Sequence, residues 1–155
     1  MTFPPPHRMR EQDDPLPVLA LIRAAFAYME GRIDPPSSMQ TLTGADVTAH
    51  AKGQEVWLIG AAPLACMFLT RKPAALYIGK LATDQAKRGQ GLARALIAQA
   101  ALRAEALHLP ALELQSRMEL VENHTAFCAM GFACVAETRH PGYDRTTSLT
   151  FRRDL

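Results

Sequence analysis

Apolar residues fall along this chain in spaced stripes and in short runs, and the switches between them mark out its elements. Val18, Ile22, Phe26 and Met29 follow one another at spacings of four, four and three, the stripe of an amphipathic helix. Asp13 or Asp14 can cap that helix with Pro15 in its first turn, and Gly31 can end it. The loop Arg32 to Ser38, with two consecutive prolines, cannot be helical. Thr43 and Asp46 have capping-box spacing for a second short helix ending near Gly53. Short apolar runs come next. Glu55 to Ile59, Ala65 to Thr70 and Ala75 to Leu81 read as strands, parted by Gly60-Ala61-Ala62-Pro63 and Arg71-Lys72-Pro73. Connections this short imply an antiparallel meander. Residues 1–7 read as a loose proline-rich arm, and His7 to Arg10 can form a short edge strand.

A longer helical stripe follows, Leu92, Leu96, Ala100, Ala104 and Leu107, from about Gly91 to Leu107. Its length can carry the chain back across the sheet, so Leu112 to Arg117 can lie parallel to the strand before it. A helix from about Glu122 to Met130 ends at Gly131, and strands Phe132 to Arg139 and Thr147 to Arg152 flank the turn His140 to Asp144. The order is two helices, three strands, helix, strand, helix, two strands. It predicts one α+β domain over residues 1–155, a mixed, mostly antiparallel central sheet with helices on both faces.

The stretch from Leu76 to Ala93 carries the chemistry. A buried strand runs into a polar loop with two glycines, Gly89 and Gly91, and then into a helix N-terminus. First-turn N–H groups have no intrahelical partner, and the helix dipole adds roughly half a positive charge there. The glycines remove side chains where a phosphate would approach, and Lys87 and Arg88 add full charge. The loop reads as a diphosphate cradle. It lacks the Lys-Ser or Lys-Thr of a Walker loop, and Arg94 stands where a Rossmann fingerprint needs a small residue.

Ala86-Lys87-Arg88-Gly89-Gln90-Gly91-Leu92-Ala93, after a strand ending Lys80-Leu81-Ala82-Thr83, resembles the acetyl-CoA loop of the GNAT N-acetyltransferase superfamily, [QR]xxGx[GA]. Ala86 departs from the Gln or Arg usual at the first position. Asn123 to Phe132 resembles a second segment of that family, and the element order extends the likeness to most of the chain. The resemblance implies transfer of an acetyl group from acetyl-CoA, the co-substrate, to an amine within one ternary complex. It implies that Leu81 and Thr83 offer backbone groups to the cofactor arm, with the Leu81 N–H as oxyanion donor. Arg88, Gly89, Gln90, Gly91, Leu92 and Ala93 would then hold the diphosphate, and Asn123 and Phe127 would line the arm.

Phe127 is also a departure, because the family's frequent tyrosine acid falls there. A thiol of pKa near 8.5 leaves as thiolate at pH 7 at a cost of about 2 kcal/mol, whereas deprotonating an amine of pKa about 10.4 costs roughly 4.6 kcal/mol. A proton acceptor therefore matters more than a donor. Glu30, Asp34, His140, Tyr143 and Asp144 are candidates, and the sequence does not choose among them. Cys128, next to Phe127, points elsewhere on a helix. A catalytically silent CoA-binding sensor is the alternative that Ala86 and Phe127 motivate.

Composition narrows the partners. With 17 Lys and Arg against 15 Asp and Glu, the net charge is +2 and the basic residues are scattered, so no nucleic-acid partner is expected. No apolar run approaches transmembrane length, and prolines and charges occupy the start, so neither membrane nor leader is expected. Cys66, Cys128 and Cys134 lack CxxC spacing and read as buried thiols of a cytoplasmic protein. His50, His108 and His124 lack partners at ligand spacing, so no metal is expected. Tyr77 reads as core. The acceptor is a small-molecule or peptidyl amine of unspecified identity, and a homodimer follows from family analogy alone.

Overall fold

The computed structural model describes residues 2–155. Seven strands form one sheet in the order β1-β2-β3-β4-β5-β7-β6. They are β1 (His7–Arg8), β2 (Glu55–Ile59), β3 (Ala65–Arg71), β4 (Leu76–Thr83), β5 (Ala111–Arg117), β6 (Ala133–Thr138) and β7 (Ser148–Asp154). The helices are α1 (Leu16–Phe26), α2 (Gly44–Gly53), α3 (Leu92–Ala106) and α4 (Val121–Ala129). Every pairing is antiparallel except β4 with β5. The expected order and the single parallel join are both present.

Local chemistry explains most of these boundaries. The Leu16 N–H donates to Asp14 Oδ1 at 3.0 Å, so Asp14 serves the start of α1 although Pro15 holds the cap position. At α2 the Asp46 N–H donates to Thr43 Oγ1 and the Thr43 N–H to Asp46 Oδ2, the complete capping box. A side-chain cap of this kind is worth about 1 kcal/mol. Gly91 begins α3 at φ +88, a left-handed conformation that costs a residue with a Cβ about 1–2 kcal/mol.

Two apolar clusters lie on opposite faces of the sheet. One joins Leu92, Leu96, Ile97, Ala100 and Ala104 of α3 to Met67, Leu76, Leu112 and Phe151 of the strands. The other joins Val18, Leu21 and Ile22 of α1 and Val47 of α2 to Val56, Cys66 and Phe68. Residues 2–6 form no regular element, and Phe3 packs against the first cluster. One carboxylate is buried among the described residues. Glu55 accepts two bonds from Arg103 at 2.8 Å each and one from Trp57 Nε1 at 2.9 Å. Burial pushes its carboxyl up, but those bonds and the Arg103 and Arg8 charges outweigh that and hold it below the usual carboxylate range.

The far end departs from the sequence reading in one respect. Only Cys66 is buried; Cys128 and Cys134 are exposed. The cause is topological, since α4 buries none of its residues fully and β6 is an edge strand exposed along its whole length. Tyr77 is half-buried rather than core, with the Lys72 ammonium 5.6 Å above its ring.

Candidate active site

A fault in the sheet creates the site. β4 and β5 are in register only at Leu76–Leu112 and Tyr77–Glu113, and beyond that they part. On its other side, β4 carries an extra residue against β3: Cys66 pairs with Ala82 and Phe68 with Gly79, so Lys80 and Leu81 together face Met67 alone. Lys80 absorbs the bulge at φ +48, rare for a residue with a side chain. A bulge bends and twists its strand, which carries β4 away from β5 at this point.

Three connected cavities follow the fault. The inner one, about 240 Å³, has β4 from Tyr77 to Leu81 on one wall and β5 from Leu114 to Arg117 on the other, with Asn123, Phe127 and His140. A neck of about 170 Å³ shares Leu81, Asn123 and Phe127 with it and adds Tyr28, Thr83, Arg88 and Ala93. The neck opens into a cavity of about 430 Å³ lined by Thr83, Lys87, Gly89, Gly91, Leu92, Ala93 and Arg94. On the opposite side the inner cavity shares Phe26, Met29 and Met39 with an outer chamber of about 600 Å³, which also holds Arg23 and Glu30. The cavities therefore adjoin one another in a row from the glycine loop, past the gap in the sheet, to the end of α1.

The glycine loop suits an anion on structural grounds. No side chain caps α3, so its first-turn amides stay open. Gly89 at φ +76 and Gly91 at φ +88 both have open space where a Cβ would sit. Lys87 and Arg94 line the same hollow. Gln90 is exposed at the rim. The Arg88 side chain is engaged elsewhere: Nη2 donates to Ala25 O at 3.2 Å, and the guanidinium lies 5.2 Å from the Tyr28 ring centroid. Arg88 thus ties the loop to the end of α1 and leaves its backbone to the hollow.

Asn123 is the third residue of α4 and not its cap, which is Leu120. Its Nδ2 donates to Tyr28 Oη at 3.3 Å, bridging the neck. Phe127 stacks obliquely on Phe151 (5.8 Å) and meets Phe132 edge-on (6.3 Å), with its exposed side toward the inner cavity and neck. The other candidates separate clearly. Glu30 lines the outer chamber; Asp34 accepts from Tyr143 Oη at 2.6 Å and from Arg145, and neither Asp34, Tyr143 nor Asp144 lines the inner or outer cavity. That bond to Asp34 raises the Tyr143 phenol above its usual value. His140 is the one imidazole on the inner wall among the described residues. Its main-chain N–H donates to Thr147 Oγ1 at 2.9 Å, and its Nδ1 meets the same oxygen.

His50 and His124 are engaged with main-chain carbonyls, Leu69 O and Arg117 O. Tyr28, Arg94, Met130 and Arg117 all line these cavities, and the sequence reading did not pick them out. Arg94 alone had a signal, as a cation in the first turn after the glycines.

The glycine loop and the uncapped start of α3 form an anion hollow beside the gap between β4 and β5. The acetyltransferase (GNAT) family pattern matches residues 19–132, and the chain belongs to that family. Its fold is that of solved acetyltransferases. The enzyme from Streptococcus agalactiae has a TM-score of 0.71 at 17% identity, over 97% of this chain and 98% of that one. A GNAT family acetyltransferase from Elizabethkingia anophelis with acetyl-CoA bound has 0.68 at 14%, over 97% of each. The ribosomal-protein-S18-alanine N-acetyltransferase from Escherichia coli has 0.65 at 18%, over 96% and 92%. No curated protein matched in sequence. Family membership supports an acetyl-CoA-dependent acetyltransferase.

Proposed function

We propose that the chain transfers an acetyl group from acetyl-CoA directly to a primary amine within a ternary complex. The observation that carries this reading is the row of adjoining cavities from an uncapped helix N-terminus to the gap between β4 and β5. The first-turn amides of α3 and the loop from Arg88 to Ala93 would hold the diphosphate, helped by Lys87 and Arg94. Leu81, Thr83, Asn123 and Phe127 would line the arm. Acetyl-CoA supplies the acyl carbon and a thiol leaving group. The Leu81 N–H, next to the bulge at Lys80, would face the negative charge that grows on the acyl oxygen.

The amine nitrogen forms the new bond to carbon, the carbon–sulfur bond breaks, and sulfur keeps the electron pair. The amine's proton goes to His140. With the imidazole hydrogen on Nδ1, Thr147 Oγ1 would accept from it and from the His140 main-chain N–H and give its own hydrogen to Thr138 O. That pattern leaves Nε2 unprotonated and able to receive it. Thr147 is fully buried, so the ring is held from a rigid point. Glu30, in the outer chamber, would draw the ammonium inward.

The test is thiol release from acetyl-CoA against a panel of amines, with binding followed by calorimetry. His140→Gln should keep acetyl-CoA binding and lose roughly 100-fold or more in turnover. An unaltered rate would remove His140 from the mechanism. The packed, donor-free Phe127 favours one second reading, a sensor that binds CoA; binding with no thiol release from any amine would decide for it. A homodimer, if one forms, has the exposed edge of β6 available for it.

A further inference from the structure

The inner cavity and the outer chamber meet across an apolar threshold. Five residues line both, Phe26, Met29, Ile33, Ser37 and Met39, and all but Ser37 are apolar. Met29 is buried, and Ile33 and Met39 are half-buried. Met29 and Ile33 belong to neither apolar cluster of the core. Core packing therefore does not account for a thioether and a branched alkyl chain at this point. At about 600 Å³ the outer chamber is within the roughly 300–1,000 Å³ of sites for small ligands, and at about 240 Å³ the inner cavity falls below it. The inner cavity suits the reacting nitrogen and the acetyl group, and the outer chamber the rest of the acceptor.

Charge is sparse along the same route. Among the described residues no carboxylate lines the inner cavity. The outer chamber has Glu30 and Arg23, and Arg23 Nη2 already donates to Leu42 O at 3.0 Å. One carboxylate can draw in one ammonium. A second ammonium a few bonds behind the reacting nitrogen would lie among Phe26, Met29, Ile33 and Met39. The one side-chain oxygen of the shared residues, Ser37 Oγ, already accepts from the Met39 N–H at 3.1 Å. An unpaired ammonium is among the costliest groups to bury, whereas an alkyl chain in the same place gains from leaving water.

We propose that the acceptor is a primary amine with one positive charge and an apolar body of several carbons next to the nitrogen, lying across the threshold into the outer chamber. The inference rests on the transferase reading above and narrows its acceptor. The probes are the straight-chain amines from propylamine to hexylamine, together with putrescine, in which a second ammonium replaces the terminal methyl of pentylamine. Each is tested by thiol release from acetyl-CoA and by the shift in melting temperature of the CoA-bound protein. The kcat/KM should climb about fourfold with each methylene, roughly 50-fold from propylamine to hexylamine. Pentylamine should exceed putrescine by about tenfold or more.

Ile33→Asp puts a carboxylate at the threshold and should cut the pentylamine-to-putrescine ratio by about tenfold or more, while Ile33→Val should keep it. Both variants are melted without ligand to show that they fold. Rates that stay flat or fall with chain length would overturn the apolar seat and leave acetyl transfer standing. Putrescine equal to pentylamine, or a ratio that Ile33→Asp leaves intact, would do the same. A melting shift that grows with chain length, with thiol release from none of the probes, would uphold the seat and sink the transferase reading instead. Silence from every probe in both readouts would overturn the seat.

Discussion

Replacing Gly91 by aspartate isolates the anion cradle from the fold. Gly91 has φ +88 with open space around a built Cβ, so any side chain there pays for conformation and not for a clash. That cost is about 1–2 kcal/mol. For a chain of 155 residues it should lower the melting temperature by roughly 2–8 °C. Gly91→Ala carries the same strain with no charge, which makes it the control. The carboxylate adds two effects of its own. It can take the first-turn amides of α3 for itself, as an N-cap acid does. It also repels each diphosphate charge by about 1 kcal/mol at 4 Å in water and about 4 kcal/mol at an effective dielectric of 20.

Even the lower figure, acting on two charges together with the lost amides, implies at least a 100-fold weaker complex, at 1.4 kcal/mol per factor of ten. Gly91→Ala should lose less than about tenfold. Calorimetry of acetyl-CoA binding at low and high salt measures both, and part of the aspartate's deficit should shrink at high salt by screening. Binding by Gly91→Asp within about threefold of Gly91→Ala would refute the cradle. Gly91→Asp should melt a few degrees above Gly91→Ala, because its carboxylate caps the free amides of α3.

Two further outcomes concern the fold. In native protein a thiol reagent should titrate Cys128 and Cys134 quickly and reach Cys66 only on unfolding, because burial pushes the Cys66 thiol up to about 12; three fast thiols would contradict the buried position. Glu55→Gln should cost about 2–3 kcal/mol at pH 7 by leaving Arg103 poorly paired, seen as a lower urea midpoint. The folded Glu55 carboxyl lies below its ordinary value, so its contribution is present above the ordinary carboxylate range and lost as pH falls through the folded value. The gap between wild type and Glu55→Gln should therefore close in acid, and a gap constant with pH would exclude the ionised pair as its source.

What could be read from the chain was what short-range chemistry decides. The Thr43–Asp46 box, the short apolar runs of β2 and β3 between their turns, and the glycine pair before α3 act within a few residues, and each stands where it was expected. Thr83 and Ala93 were legible only through family resemblance, and they line the neck beside Arg88. The bulge was not legible. Nothing about a lysine announces φ +48; it is imposed by β3 fixing Ala82 and Gly79 one residue out of step. Tyr28, Arg88 and Asn123 meet because the end of α1 touches a loop some 60 residues on and a helix 95 residues on. Contacts at such separation leave no local period. The thiols of Cys128 and Cys134 were misjudged for the same reason, since composition says nothing of which strand ends at an edge.

Phe127 is where this chain departs most from what acyl transfer is usually given, and the energetics say how much that matters. The ring can donate no proton, and it is held between Phe132 and Phe151. In the transfer proposed above the sulfur leaves as thiolate, at about 2 kcal/mol at pH 7, a penalty that vanishes near pH 8.5. Phe127→Tyr can regain no more than that penalty. Single-turnover thiol release should rise by at most about 30-fold at pH 7, and the gain should fade by pH 9. A gain independent of pH would mean that the hydroxyl acts on something other than the leaving group. Phe127→Ala should instead lower the melting temperature, with activity falling only as packing does. Lost turnover at an unchanged melting temperature would show that the ring takes part in the reaction and that the proton balance drawn here, with His140 as acceptor and no donor, is wrong.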